Sequence, residues 1–182
     1  MKLVPTPLND VFIVESPVFK DDRGFFVEVF HADKFATLGL PTDFVQDNHS
    51  RSIRNTLRGL HFQRENPQGK LVRAVTGSIF DVAVDLRRSS TTFGKWFGVT
   101  LVAGDGRQLY LPPGFAHGFL VLSDVADVSY KCTTVYHGPS DSSLSWNDAA
   151  LAIAWPIPAG ETPLLSPKDA VAPLLSALQT FP

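Results

Sequence analysis

Residues 106–119 read GRQLYLPPGFAHGF. A strand-like run, RQLYLP (107–112), meets Pro112-Pro113-Gly114, and a second apolar run, GFLVLS (118–123), follows. Proline presets φ and lacks an N–H, while glycine admits conformations closed to other residues, so this tripeptide turns the chain sharply. The spacing predicts two strands joined by a tight turn. Further out, FDVAVDL (80–86) places Phe80, Val82, Val84 and Leu86 on one face and Asp81 and Asp85 on the other, which is strand alternation. WFGVTLVA (96–103) and SYKCTTVY (129–136) are similar runs, rich in β-branched and aromatic residues, and Thr76-Gly77 and Gly104-Asp105-Gly106 mark further turns. Strands this close together, without long helical stretches between them, predict an all-β antiparallel sandwich or barrel. Helical patterns are confined to the edges, at 31–39 and at KDAVAPLLSALQ (168–179), which Pro173 interrupts.

At 182 residues the chain is long enough for one domain with a substantial core. Its expected division is N-terminal strands and arm over about 1–45, a barrel over about 46–155, and a C-terminal arm with a helical segment over about 156–182. The net charge of −2, with 44% hydrophobic residues, argues against a general nucleic-acid binder or a polybasic membrane protein. The first ten residues, MKLVPTPLND, lack the apolar run of a signal peptide. Nowhere do apolar residues approach the run of about 20 needed to span a bilayer. Cys132 is the only cysteine, which excludes an intrachain disulfide and a cysteine-based zinc site. The expected compartment is the cytoplasm. Phenylalanine, at 14 residues, outnumbers tryptophan and tyrosine together (3 each), and packing inside a barrel accounts for most of these rings. A barrel that wide also has room for a flat ligand.

Chemistry concentrates in LRGLHFQRENPQGKLVR (57–73), where Arg58, Arg64, Lys70 and Arg73 surround His61 in the sequence. A hydrogen-bonded core histidine and a solvated loop around QRENPQG are the bland readings; a base beside an anionic ligand is the sharper one, since imidazole exchanges protons near neutral pH. The histidines stand at 31, 49, 61, 117 and 137 and form no His-x-His pair. Transition-metal sites need three or four converging ligands, so metal binding is disfavoured, with weak coordination by His61 and His117 left open. QDN (46–48) reads equally as an ordinary turn, and Arg23 with Glu28 as a surface ion pair worth about 0–1 kcal/mol.

The spacing of Gly106, Pro112, Gly114 and His117 resembles the second conserved segment of the cupins, the small jelly-roll barrels. More specifically, DDRGFFVEVF, FVQDNHSRS, LRGLHFQ, QGKLVRAVTGSIFDVAVDLR, LPPGFAHGF, SYKCT, WND and SPKDA resemble, in order and from about residue 12 to 175, the dTDP-4-dehydrorhamnose 3,5-epimerase family. That resemblance implies a metal-free, cofactor-free cupin jelly-roll barrel with short peripheral helices, usually a homodimer, acting on a dTDP-4-keto-6-deoxy sugar. It implies His61 as base with Asp169 as its dyad partner, Tyr130 as the acid on the opposite face, and Lys70 at the developing enolate. It further implies substrate contacts from Arg23, Phe26, Glu28, Gln46, Asp47, Asn48, Arg58, His117 and Lys168. Arg73 receives no role. In SDSSLSWND, Asp141 stands where family members often carry a glutamate, so the nucleotide contact expected there comes from a shorter carboxylate. Alternatives are an epimerase acting at carbon 3 or carbon 5 alone, a metal-dependent cupin enzyme and a non-catalytic nucleotide-sugar binder.

Overall fold

The structure, a computed structural model, describes all 182 residues. In chain order the strands are β1 (Lys2–Pro5), β2 (Phe12–Glu15), β3 (Val18–Asp21), β4 (Gly24–Val27), β5 (Gln46–Ile53), β6 (Leu57–Gln63), β7 (Lys70–Thr76), β8 (Ser78–Asp85), β9 (Trp96–Val102), β10 (Arg107–Leu111), β11 (Phe115–Val121), β12 (Val125–Cys132) and β13 (Asp141–Ser143). Helix α1 (Ala32–Thr37) lies between β4 and β5, and α2 (Pro167–Ala170) follows β13. One sheet has the order β1-β2-β10-β7-β12-β5, the other β13-β6-β11-β8-β9, and β3 pairs only with β4. The ladders are antiparallel. The predicted turn at 112–114 does join two strands, β10 and β11, but delivers them to opposite sheets.

The two sheets face each other across a core that includes Val72, Leu109 and Val128 from one side and Ile79, Ala83, Phe115 and Phe119 from the other. Burying each such side chain contributes about 1.5–3 kcal/mol. Strand β8 is covered on both faces, which its alternation conceals. Val82, Val84 and Leu86 pack outward beneath Leu144, Leu151, Trp155 and Phe181 of the C-terminal segment. Asp81 and Asp85, read from the alternation as a polar face, share the inner face with Ile79 and Ala83 and are fully buried toward the opposite sheet.

The C-terminal helical pattern is realised only as four residues of α2 and a single 3-10 turn at 175–177, because Pro173 cannot donate to a helix interior. Phenylalanine is less confined to the barrel than expected. Phe30, Phe35 and Phe44 pack edge to face outside the six-stranded sheet, under α1, while Phe19, Phe25 and Phe26 lie exposed on the β3–β4 hairpin. Between β6 and β11 the backbones nearly touch. A Cβ on Gly118 would lie 2.7 Å from the Arg58 carbonyl oxygen, and one on Gly59 2.6 Å from Gly118 Cα. Gly59 also has φ +121°, which disfavours other residues. The register shifts locally between His117 and Phe119, and this close approach sets His61 and His117 directly opposite each other.

Candidate active site

The alternation of four strands delivers polar side chains into the space between the sheets. Lys70 and Val72 share a face of β7, so Leu71 and Arg73 point outward. Lys70 is in register with Cys132 on β12, and Cys132 with Gln46 on β5; Tyr130 is likewise in register with both Val72 and Asn48. Opposite them, β6 contributes Arg58 and His61, and β11 contributes His117. Gln46, Asn48, Arg58, His61, Lys70, His117 and Tyr130 line a cavity of about 440 Å³, with Tyr136, Asp141 and Lys168 at its rim. The volume suits a small-molecule ligand.

His61 Nε2 lies 2.6 Å from Asp169 Oδ1. The carboxylate is almost completely buried, in α2, and its own N–H donates to Ser166 Oγ at the helix N-cap. Burial pushes the Asp169 carboxyl upward, yet its hydrogen bonds, chiefly with His61, outweigh this and hold it below the usual carboxylate range. It stays charged, and it fixes the orientation of the imidazole. Nδ1 of His61 makes no hydrogen bond within the protein, which leaves that nitrogen free to accept a proton. Tyr130 has its phenol raised above the ordinary value, first by burial and then by Cys132 and Asp141, against which Arg58 acts. It is a proton donor at neutral pH. Lys70 is buried and makes no ion pair; desolvation lowers its ammonium, opposed by Cys132, Asp141 and Asp81. The Cys132 thiol, also buried, is pushed up by that burial. Arg58 is oriented by a 2.9 Å hydrogen bond from Nε to Ser52 Oγ.

Several residues singled out from the sequence fall elsewhere. Of the four cations around His61, only Arg58 and Lys70 reach the cavity. Arg64 is exposed and bonds Gln179, and Arg73 sits on the outer face of its sheet, because the strand period of two alternates their directions. QDN is not a turn but the start of β5, so Gln46 and Asn48 face the cavity while Asp47 points away and pairs with Lys131 at 2.9 Å. Arg23, Phe26 and Glu28 do not reach the cavity of their own chain. Arg23 pairs with Asp21, and Glu28 with Lys34 at 2.6 Å, so the surface pair anticipated between Arg23 and Glu28 is absent.

Tyr136, which the pattern of SYKCTTVY places at the end of a strand, lies instead in a loop at the cavity rim. Strand β12 stops at Cys132, and the chain folds back so that the Tyr136 N–H donates to Gln46 Oε1 at 2.7 Å and its hydroxyl to Asp141 Oδ2 at 3.1 Å. Gln63 and Gln68 hold this loop through main-chain groups of residues 134, 135 and 137. A polar, turn-prone stretch after the strand, CTTVYHGPS, was the available signal. Asp141, the residue in the usual glutamate position, accepts from both Tyr136 and Lys168.

The family model described as dTDP-4-dehydrorhamnose 3,5-epimerase matches residues 5–177. A curated relative of that name from Escherichia coli is 56% identical over 171 residues, covering 93% of this chain and 91% of the relative. Among solved structures, dTDP-6-deoxy-D-glucose-3,5-epimerase from Legionella pneumophila, in complex with dTDP-4-keto-L-rhamnose, is 49% identical. It superposes with a TM-score of 0.93 over 98% of this chain and 94% of its own. A 3′-monoepimerase from Streptomyces bikiniensis in complex with dTDP-quinovose superposes at 0.87 with 34% identity, covering 94% and 87%. The jelly roll, its polar cavity and these likenesses agree: the chain belongs to the dTDP-4-dehydrorhamnose 3,5-epimerase family.

Proposed function

We propose that this protein is a dTDP-4-dehydrorhamnose 3,5-epimerase, an isomerase that inverts carbons 3 and 5 of dTDP-4-dehydro-6-deoxy-D-glucose to give dTDP-4-dehydro-L-rhamnose. The observation that carries the reading is one cavity lined by both the Asp169-bound His61 and the partly buried phenol of Tyr130. The 4-keto group acidifies the hydrogens on carbons 3 and 5, and each inversion needs a base on one face, an acid on the other, and a cation or donor at the enolate oxygen between them. In this reading His61 takes the proton through Nδ1, Asp169 stabilises the resulting imidazolium, Lys70 meets the enolate oxygen, and Tyr130 returns a proton from the opposite side. Arg58, with a planar fork of donors, and Lys168 grip the diphosphate. The half-exposed ring of Tyr136 offers a face to the nucleobase. Gln46, Asn48, His117 and Asp141 complete the pocket.

A second copy of the chain supplies what this one lacks. Phe19, Phe25 and Phe26 are 64%, 56% and 68% exposed on one hairpin, an apolar display that suits burial against a partner. We therefore assign a homodimer in which this hairpin carries Arg23, Phe26 and Glu28 toward the neighbouring cavity. Replacing Phe25 and Phe26 by aspartate is expected to yield a monomer by analytical ultracentrifugation, with substrate affinity reduced; an unchanged dimer excludes this arrangement. No helix is long and apolar enough to cross a membrane, and the cytoplasm is our proposed compartment.

Proton NMR of the 4-keto sugar nucleotide with the enzyme in heavy water tests the activity. Deuterium entering at both carbons is expected. The likeness to a 3′-monoepimerase makes exchange at a single carbon the informative contrary result, and binding with no exchange would make the protein a non-catalytic binder.

A further inference from the structure

Two imidazole–carboxylate pairs stand at the cavity, and the second has no part in the mechanism above. His117 Nε2 lies 2.8 Å from Asp81 Oδ1. His117 lines the cavity; Asp81 stands behind it on β8, fully buried, between Ile79 and Ala83 on the face turned toward the opposite sheet. An ionised carboxylate in such surroundings is costly unless it is well paired. Asp81 is only half paired: Oδ2 is buried and accepts no hydrogen bond. Lys70 across the cavity shows the complementary deficit, a buried ammonium without an ion-pair partner. Asp81 and Asp141 are the carboxylates whose charge acts on that ammonium.

We propose that Asp81 is a positioning residue serving two cavity groups at once: Oδ1 orients His117, and the charge of its half-paired carboxylate acts across the cavity on the Lys70 ammonium without contacting it. With Nε2–H directed at the carboxylate, Nδ1 of His117, which has no partner within the protein, is presented to the ligand. A negative charge facing Lys70 from the opposite sheet favours an ammonium in a place where desolvation favours the neutral amine. His61 has the equivalent support from Asp169, so two neighbouring imidazoles on the β6–β11 wall of the cavity are each braced by a buried carboxylate. The inference rests on Lys70 and His117 facing substrate in the reading above.

Asp81→Asn separates the two tasks, because the amide keeps an acceptor oxygen for His117 but removes the charge. Its expected effect is a kcat reduced about tenfold with KM within about threefold, in the range of coupling between neighbouring groups. In a Lys70→Gln background the same change is expected to lower kcat no further. Asp81→Ala is expected to add a rise in KM that disappears in a His117→Asn background. A purely structural role would make the losses multiply in every background, and that result overturns the proposal. Lys70→Gln leaving kcat unaltered would instead bring down the reading of the site itself, and the proposal with it. The unmodified enzyme supplies an arm that does not depend on a variant folding: long-range ¹H–¹⁵N spectra are expected to show His117 protonated at Nε2. A neutral ring carrying its proton on Nδ1 alone refutes the arrangement.

Discussion

Removing the Asp169 side chain, as Asp169→Ala, isolates what a buried carboxylate adds to His61. The bond is 2.6 Å long, and Asp169 is only 3% exposed, so solvent screens it weakly. A hydrogen bond to a charged partner contributes about 1.5–3 kcal/mol. If that is realised in the transition state, where the imidazole becomes cationic, the loss corresponds to about 10- to 150-fold in kcat, at 1.36 kcal/mol per tenfold. Asp169→Asn keeps a hydrogen-bonding group without the charge and should fall between wild type and alanine. The assay is the initial rate of deuterium entry at carbons 3 and 5, with thermal melts alongside to establish that the variants are folded. KM should change little, since Asp169 lies behind His61 and is not part of the cavity wall. A folded Asp169→Ala enzyme with wild-type kcat, or one whose defect lies entirely in KM, refutes the role given to the pair.

His61→Ala and Tyr130→Phe should each cut turnover by about 10²–10⁴-fold, with dTDP binding by calorimetry nearly unchanged; a near-normal rate in either refutes that residue's part. Gly118→Ala should force β6 and β11 apart, because its new Cβ would meet the Arg58 carbonyl oxygen. A destabilisation of about 1–3 kcal/mol by denaturant titration is expected, together with lost activity as His61 and His117 separate. Asp127 tests the sign of a pH effect. Arg51, Thr76 and His49 hold its carboxyl well below the usual range. A lowered folded-state pKa contributes stability that is present above the ordinary carboxylate pKa and lost as pH falls through the folded value. Asp127→Asn should therefore melt lower than wild type at pH 7, and the gap should close in strong acid; a gap that widens with acidity contradicts the assignment.

How far the sequence could be read depended on the range of the interaction. Strand β8 was legible from its alternation and β10–β11 from the Pro-Pro-Gly turn, since both signals lie within a few residues. His61, Tyr130 and Lys70 were found through motif resemblance, and all three do line one cavity. The burial of Asp81 and Asp85 was not legible, because it depends on that face of β8 turning toward the opposite sheet while the C-terminal segment covers the valine face. Nor was Tyr136, whose place is set by a loop that Gln63 and Gln68 hold from other strands.

By itself the sequence determined a β-rich jelly roll, the residue types available for proton transfer, and the family. Local backbone preference and a side-chain period of two are written in consecutive residues. Only the tertiary structure decided which of these groups meet. It brought Asp169 to His61 across 108 residues of chain, turned Arg73 and Asp47 outward, and set His117 opposite His61. The reason is that such contacts come from register between distant strands and from closing long loops, and neither is a property of any short stretch.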